Sequence, residues 1–260
     1  MDIANISYPA AVLGGAVIGL LLSVFGGGGS VLATPLLLYI VGVRDPHVAI
    51  GTSAAAVAVN AAVGLLVQAR AGRVKWPCAL VFGGAGLTGS LVGAHFAKQI
   101  DGSQLLLWFA VAMAFVGASM LIPRKWEGDA GVRLTTALTL KIAPAGAVTG
   151  LAAGFFGIGG GFLIVPGLMA ATGMTLANAA ASSLVSVVLF GAATSASYAV
   201  SGFVDWRVFM ALVVGGAIGS MIAIPVGRVL AERTTVARTA FALMVLATAV
   251  YVAWRAMSGS

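Results

Sequence analysis

Long apolar runs separated by short polar clusters make up nearly the whole chain. In the first half the runs cover about 10–41, 46–68, 76–96 and 105–122, and a second set follows residue 135. Runs of this length can cross a hydrocarbon core of about 30 Å. The first one is too long for a single crossing, because a helix over 10–41 would measure about 48 Å at about 1.5 Å per residue. It is interrupted at Phe25-Gly26-Gly27-Gly28-Gly29-Ser30. A glycine run is a poor continuous helix, so two shorter pieces meeting at the glycines are expected.

The polar clusters fit this division. Arg44-Asp45-Pro46-His47 reads as a turn, with Pro46 suited to the first turn of the next helix. Arg70 to Lys75 is a basic loop, followed by Trp76 as an interfacial anchor. Gly86, Gly89, Ser90 and Gly93 are spaced to let helices approach closely. Lys98 to Gln104 is a turn, and Pro123 ends the fourth run.

The interrupted stretch occurs twice. At an offset of 131 residues, Phe156-Gly157-Ile158-Gly159-Gly160-Gly161 falls on the first copy, with Leu163 on Leu32 and Pro166 on Pro35. Before it, Gly15-Ala16-Val17 matches Gly146-Ala147-Val148; beyond it, at an offset of 130, Ser53 matches Ser183, Trp76 matches Trp206, and Gly89-Ser90 match Gly219-Ser220. Matches over the full length indicate a duplication. The expected organisation is a first transmembrane repeat over 1–123, a polar connecting loop over 124–135, and a second repeat over 136–260. The fold class is an all-α integral membrane protein, nominally of eight segments in two sets of four. The first segment of each set is broken at its glycines.

Two topologies follow. If the broken segment crosses, the repeats are parallel and the 14 Lys and Arg residues divide nine to five between the two faces. If it is a re-entrant hairpin, the repeats are inverted and the division is ten to four, the larger share on the face of the 70–75 and 124–141 loops. Both obey the positive-inside rule. Segment length favours the hairpin, and inverted repeats also suit alternating access.

Composition removes several function classes. The chain has 260 residues, 60% hydrophobic and 8% charged, where about 25% charged is usual for soluble domains. No stretch between the apolar runs could form a soluble catalytic domain, and the formal charge of +7 sits mainly in short loops, so nucleic acid is not an expected partner. No basic residue precedes the first apolar run, which is therefore expected to be retained rather than cleaved as a signal. The single Cys78 is read as a packing residue. The seven carboxylates, Asp2, Asp45, Asp101, Glu127, Asp129, Asp205 and Glu232, fall in expected loops or segment ends, and no catalytic or nucleotide-binding motif is present. Carriers of metal ions or protons usually keep carboxylates at the midplane. No enzyme, cofactor or metal is expected, and a cation carrier is disfavoured.

The midplane instead offers backbone N–H groups and hydroxyls. Broken helix inside a membrane is tolerated where protein buries it or where it lines a cavity. A helix beginning after Gly29-Ser30 or after Gly160-Gly161 directs free N–H groups and the positive end of its dipole at the break. Thr52-Ser53 and Ser182-Ser183 occupy equivalent positions near the start of the following helix and add hydroxyl donors. The candidate substrate site is therefore Gly28, Gly29, Ser30, Thr52 and Ser53 with Gly159, Gly160, Gly161, Ser182 and Ser183. Alanine at Gly28 or Gly160 is expected to reduce transport more than folding. His47 reads as a solvated loop residue, and His95 as a packed or interfacial one. Lys98, matched by Arg228, is an end-of-helix cation. Asn60 and Gln68 are weaker candidates, because their counterparts are Phe190 and Tyr198.

Two copies of F-G-x-G-G-x-x-L-x-x-P, followed by Ala49-Ile50-Gly51-Thr52-Ser53 and by the looser Ala180-Ala181-Ser182-Ser183, resemble the TauE/SafE family of sulfite exporters. The resemblance covers nearly the whole chain. It implies a multi-pass protein of the bacterial cytoplasmic (inner) membrane that moves sulfite, sulfonates such as sulfoacetate, or a related sulfur oxyanion. The expected partners are that small oxyanion and membrane lipid, with a homodimer left open. A passive anion channel and a non-transporting scaffold are the alternatives.

Overall fold

The computed structural model describes residues 7–121, 128–129, 131–156, 161–231 and 234–258. Its helices are α1 (Tyr8–Phe25), α2 (Ala33–Leu36), α3 (Pro46–Arg70), α4 (Trp76–Ala97), α5 (Gly102–Leu121), α6 (Thr136–Phe156), α7 (Gly161–Thr172), α8 (Leu176–Val200), α9 (Trp206–Ala231) and α10 (Thr234–Ser258). A 3-10 stretch, Gly26–Leu32, precedes α2 and a π turn, Leu37–Val41, follows it. Among the described residues seven helices are long and apolar enough to cross a membrane: α1, α3, α4, α5, α6, α8 and α9. Their outward faces carry large apolar side chains, with Leu13, Phe115 and Leu140 each about 70% exposed or more. Such a surface would aggregate in water and suits lipid.

Helix starts follow local rules. The Asp45 carboxylate accepts the His47 N–H at 2.8 Å, and Pro46 occupies the first turn of α3. Asp101 accepts the Ser103 N–H at the start of α5, and Asp205 accepts the N–H groups of Arg207 and Val208 at the start of α9. Asp129 accepts the Gly131 N–H in the turn before α6. The described carboxylates thus cap helices or turns outside the apolar spans.

The first broken segment is a hairpin. The Ser7 N–H donates to the Val41 carbonyl at 3.1 Å, so the start of α1 and the end of the π turn lie at one face, the amino-terminal face. The second behaves likewise at its base, where the Asp129 N–H donates to the Gly173 carbonyl at 2.8 Å. The return limbs differ in kind. The expected helix after Gly29-Ser30 is instead a 3-10 stretch, one α turn and a π turn, whereas α7 is regular from Gly161 as expected.

Small residues fix the packing. A Cβ on Gly15 would lie 2.3 Å from the Leu212 carbonyl oxygen and one on Gly19 2.1 Å from that of Gly216, so α1 runs in contact with α9 and parallel to it. Gly146 meets Phe82, Gly150 meets Gly86 and Gly154 meets Ser90 in the same manner, so α6 runs parallel to α4. Each half therefore lays its first helix along the third long helix of the other half, while α3 packs on α8 and α5 on α10. Parallel contact puts the start of α6 beside the start of α4, at the face opposite the first hairpin base. The starts of α1 and α6 thus lie at opposite faces.

Candidate functional site

The first break turns at Gly26, which has φ +63° and ψ −145°. That conformation is open to glycine and strained for other residues. A Cβ there would also lie 2.2 Å from the Ala180 carbonyl oxygen, so the hairpin tip is pressed on the first turns of α8. The Gly27 N–H donates to Ser183 Oγ at 3.0 Å, and Ser183 donates its own proton to the Ala180 carbonyl at 2.7 Å. The break of one half is thus held by a hydroxyl of the other. Ser30 Oγ donates back to the Gly27 carbonyl at 2.8 Å.

On α3, Ser53 donates to the Ile50 carbonyl at 3.0 Å, and its oxygen lies 2.9 Å from Thr34 Oγ1 in the return limb of the first hairpin. With the Ser53 proton so used, Thr34 is the donor of that pair. Ser30, Thr34, Ser53 and Ser183 are all buried. Every one of these hydroxyls is satisfied inside the protein. A rotation about the Cβ–Oγ bond would redirect the hydroxyl proton from its present acceptor to a ligand, exchanging a neutral hydrogen bond for one to a charged acceptor, which is stronger.

Thr52 and Ser182 do something different. The Asp205 N–H donates to Thr52 Oγ1 at 2.9 Å, and the Lys75 N–H donates to Ser182 Oγ at 2.9 Å. Each hydroxyl clasps the loop leading into the third long helix of the opposite half. Gly29 packs tightly on α1, with a virtual Cβ 2.4 Å from the Leu21 carbonyl carbon. Of the remaining candidates, Gly28 lies within the 3-10 stretch and Gly161 opens α7, while Gly159 and Gly160 lie outside the described residues.

The secondary candidates also have definite places. Asn60 Nδ2 donates to the Leu212 carbonyl and Gln68 Nε2 to the Ser23 carbonyl, each at 3.4 Å. Lys98 Nζ bonds the Ser197 carbonyl, Ser197 Oγ and Ser201 Oγ at 3.0–3.1 Å, tying the end of α4 to the end of α8. His95 is exposed, with Nε2 3.0 Å from Gln99 Nε2. His47 is half-buried rather than solvated, its ring centre 5.5 Å from that of Phe203 and 6.3 Å from that of Tyr198. Cys78 is buried, as a packing role requires. Among the described residues no group of three or more His, Cys, Asp and Glu could hold a metal ion.

The Sulfite exporter TauE/SafE family model matches residues 11–252, which include both breaks and both hydroxyl pairs. The chain belongs to this family. It is 45% identical over 246 residues to a probable membrane transporter protein of Xylella fastidiosa strain 9a5c, with 93% of each chain covered. It is 28% identical to the probable membrane transporter protein YunE of Bacillus subtilis, covering 88% of this chain and 92% of that one. A probable membrane transporter protein of Methanocaldococcus jannaschii is 28% identical over 163 residues, 61% of this chain and 60% of its own. No solved structure matches. Family and apolar helices together make this a multi-pass bacterial membrane transporter.

Proposed function

We propose that the protein carries sulfite, a sulfonate such as sulfoacetate, or a related sulfur oxyanion out of the cell by alternating access. The observation that carries this reading is the Gly27–Ser183 contact, in which the break of one half meets a hydroxyl of the other. An ionised sulfur oxyanion presents several acceptors and no donors, and the breaks offer N–H and O–H groups without a buried carboxylate to repel it. We take the halves, divided at the 124–135 connection, as inverted repeats. Rocking of one hairpin against the other about the pseudo-two-fold axis then exposes the anion to one face at a time. The hairpin topology gives the ten-to-four division of Lys and Arg, so the face bearing the 70–75 and 124–141 loops is cytoplasmic and the amino-terminal face is external. An inside-negative potential drives anion export, worth about 2.3 kcal/mol per charge per 100 mV.

The test is uptake of radiolabelled sulfite into proteoliposomes under an imposed potential, with sulfoacetate and sulfate as competitors. Saturable flux that falls in Gly28→Ala or Gly160→Ala at equal membrane abundance is the expected result. Unchanged flux in both variants would remove the breaks from the site.

A further inference from the structure

Among the described residues, four buried side-chain polar atoms lack a hydrogen-bond partner, and three of them are hydroxyls. Ser186 Oγ, Thr194 Oγ1 and Tyr198 Oη are buried and bond nothing in the protein, and all three belong to α8. Serine and threonine inside a helix ordinarily return their proton to a carbonyl one turn back. Ser183, Ser53 and Ser90 do so here through the carbonyls of Ala180, Ile50 and Leu87, but Ser186 and Thr194 do not. At about 100° per residue, Ser183, Ser186, Thr194 and Tyr198 fall within about 120° of one another on α8. They lie on one face over about 22 Å at about 1.5 Å per residue, with apolar side chains between Ser186 and Thr194.

The neighbours of this face locate it. Ser186 Oγ lies 3.4 Å from a virtual Cβ on Gly83, and Phe190, on the same face, packs on Gly86, so this part looks toward α4, while Tyr198 Cβ lies 2.8 Å from a virtual Cβ on Gly51 of α3. Its lower end is Ser183, already bonded to the first break. Its upper end is Tyr198, at the amino-terminal face beside the His47 and Phe203 rings and 5.9 Å below the Lys98 ammonium. His47 Nδ1 there is a further buried polar atom without a protein partner. A buried hydroxyl left unmatched is costly, so a row of them on one face calls for a polar occupant.

We infer that this face of α8, from Ser183 through Ser186 and Thr194 to Tyr198, is the lane by which the oxyanion passes between the first helix break and the external face. Its hydroxyls stand in for hydration as the anion moves, and Lys98 supplies positive potential at the mouth. Val187 and Phe190 are the apolar side chains in the row, and they separate Ser186 from Thr194. The matching face of α3 holds Ala56, Asn60, Gly64 and Gln68, with both amides bonded to carbonyls, so the lane belongs to the second half alone.

The inference rests on the transporter reading but has its own test. The single cysteine permits a Cys78→Ala background. In that background, Thr194→Cys is treated from outside with sulfonatoethyl methanethiosulfonate, an anionic and membrane-impermeant sulfonate, and with its trimethylammonium counterpart. Val185→Cys, buried on another face of α8, is the control. The lane requires Thr194→Cys to react with the anionic reagent about tenfold faster than with the cationic one, and Val185→Cys to stay unmodified. Tyr198→Phe, which removes one oxygen atom, should lower sulfite flux about tenfold with unchanged thermal stability, and Thr194→Ser should retain flux where Thr194→Val loses it. Labelling of Thr194→Cys in a protein that moves no sulfur oxyanion would keep the lane and overturn the substrate. Transport by an unlabelled Thr194→Cys, with Tyr198→Phe at full rate, would overturn the lane.

Discussion

Ser183→Ala is the sharpest probe of how the two halves are held together, because its neighbour supplies an internal comparison. Ser183 Oγ is the acceptor for the Gly27 N–H at 3.0 Å, in buried surroundings at the start of a 3-10 stretch, where no carbonyl of the same turn can replace it. Removing the hydroxyl strands a buried donor, at about 1–3 kcal/mol, or about 5- to 160-fold in the unfolding equilibrium. Ser182→Ala deletes an identical group that accepts the Lys75 N–H at 2.9 Å. Lys75 is half-buried and borders the exposed residues Arg73 and Trp76, so water can take over that donor. The cost there should stay below about 1 kcal/mol. Reversible unfolding of both variants by SDS titration in mixed micelles measures the difference directly. Equal losses, or a larger loss in Ser182→Ala, would refute the Ser183 contact as the clasp on the first break.

Gly26→Ala adds a Cβ at positive φ and 2.2 Å from the Ala180 carbonyl oxygen, and should cost about 3 kcal/mol or more in the same titration. A loss under about 1 kcal/mol would contradict the turn. Gly19→Ala and Gly150→Ala act on the two parallel seams, where a Cβ would sit 2.1 and 2.0 Å from facing carbonyl oxygens, and each should destabilise by about 1–3 kcal/mol. A neutral effect in either would show that its seam can open without cost. Asp101, capping α5, is held below the ordinary carboxylate value first by the Ser103 hydroxyl and then by the Ser103 N–H. Its folded pKa lies below the unfolded one, so the cap stabilises above the unfolded value and is lost as pH falls below about 4. Asp101→Asn should flatten that acid limb in a thermal-shift series, and an unchanged limb would remove Asp101 as its cause.

The first glycine break was legible because a run of glycine inside an apolar segment contradicts helix propensity, while Gly159 and Gly160 of the matching run lie outside the described residues. The hydroxyl pairs stand out in the sequence for a related reason, since the offset of 130 puts Ser53 on Ser183 and Thr52 on Ser182. Their partners were not. Thr52 and Ser182 clasp backbone N–H groups of Asp205 and Lys75, residues that the same offset pairs, and a backbone donor leaves no mark on residue type. The irregular return limb after Gly26 is a product of tertiary packing that propensity does not report. His47 was misplaced as solvated because the rings that cover it, Phe203 and Tyr198, lie about 150 residues away in sequence. Ser186, Thr194 and Tyr198 escaped for a different reason. Their counterparts at the offset of 130 are Ala56, Gly64 and Gln68, so no hydroxyl recurs at those places.

The central claim is a carrier with one oxyanion site served in turn by hairpins from opposite faces, and counterflow tests it most directly. Proteoliposomes are loaded with excess unlabelled sulfite, diluted into a trace of radiolabelled sulfite, and followed over time. Carrier-type exchange produces a transient accumulation of label above equilibrium, abolished in the Ser53→Ala, Ser183→Ala double variant. Monotonic equilibration of label with no overshoot would mean an open anion channel, and would contradict alternating access at the breaks.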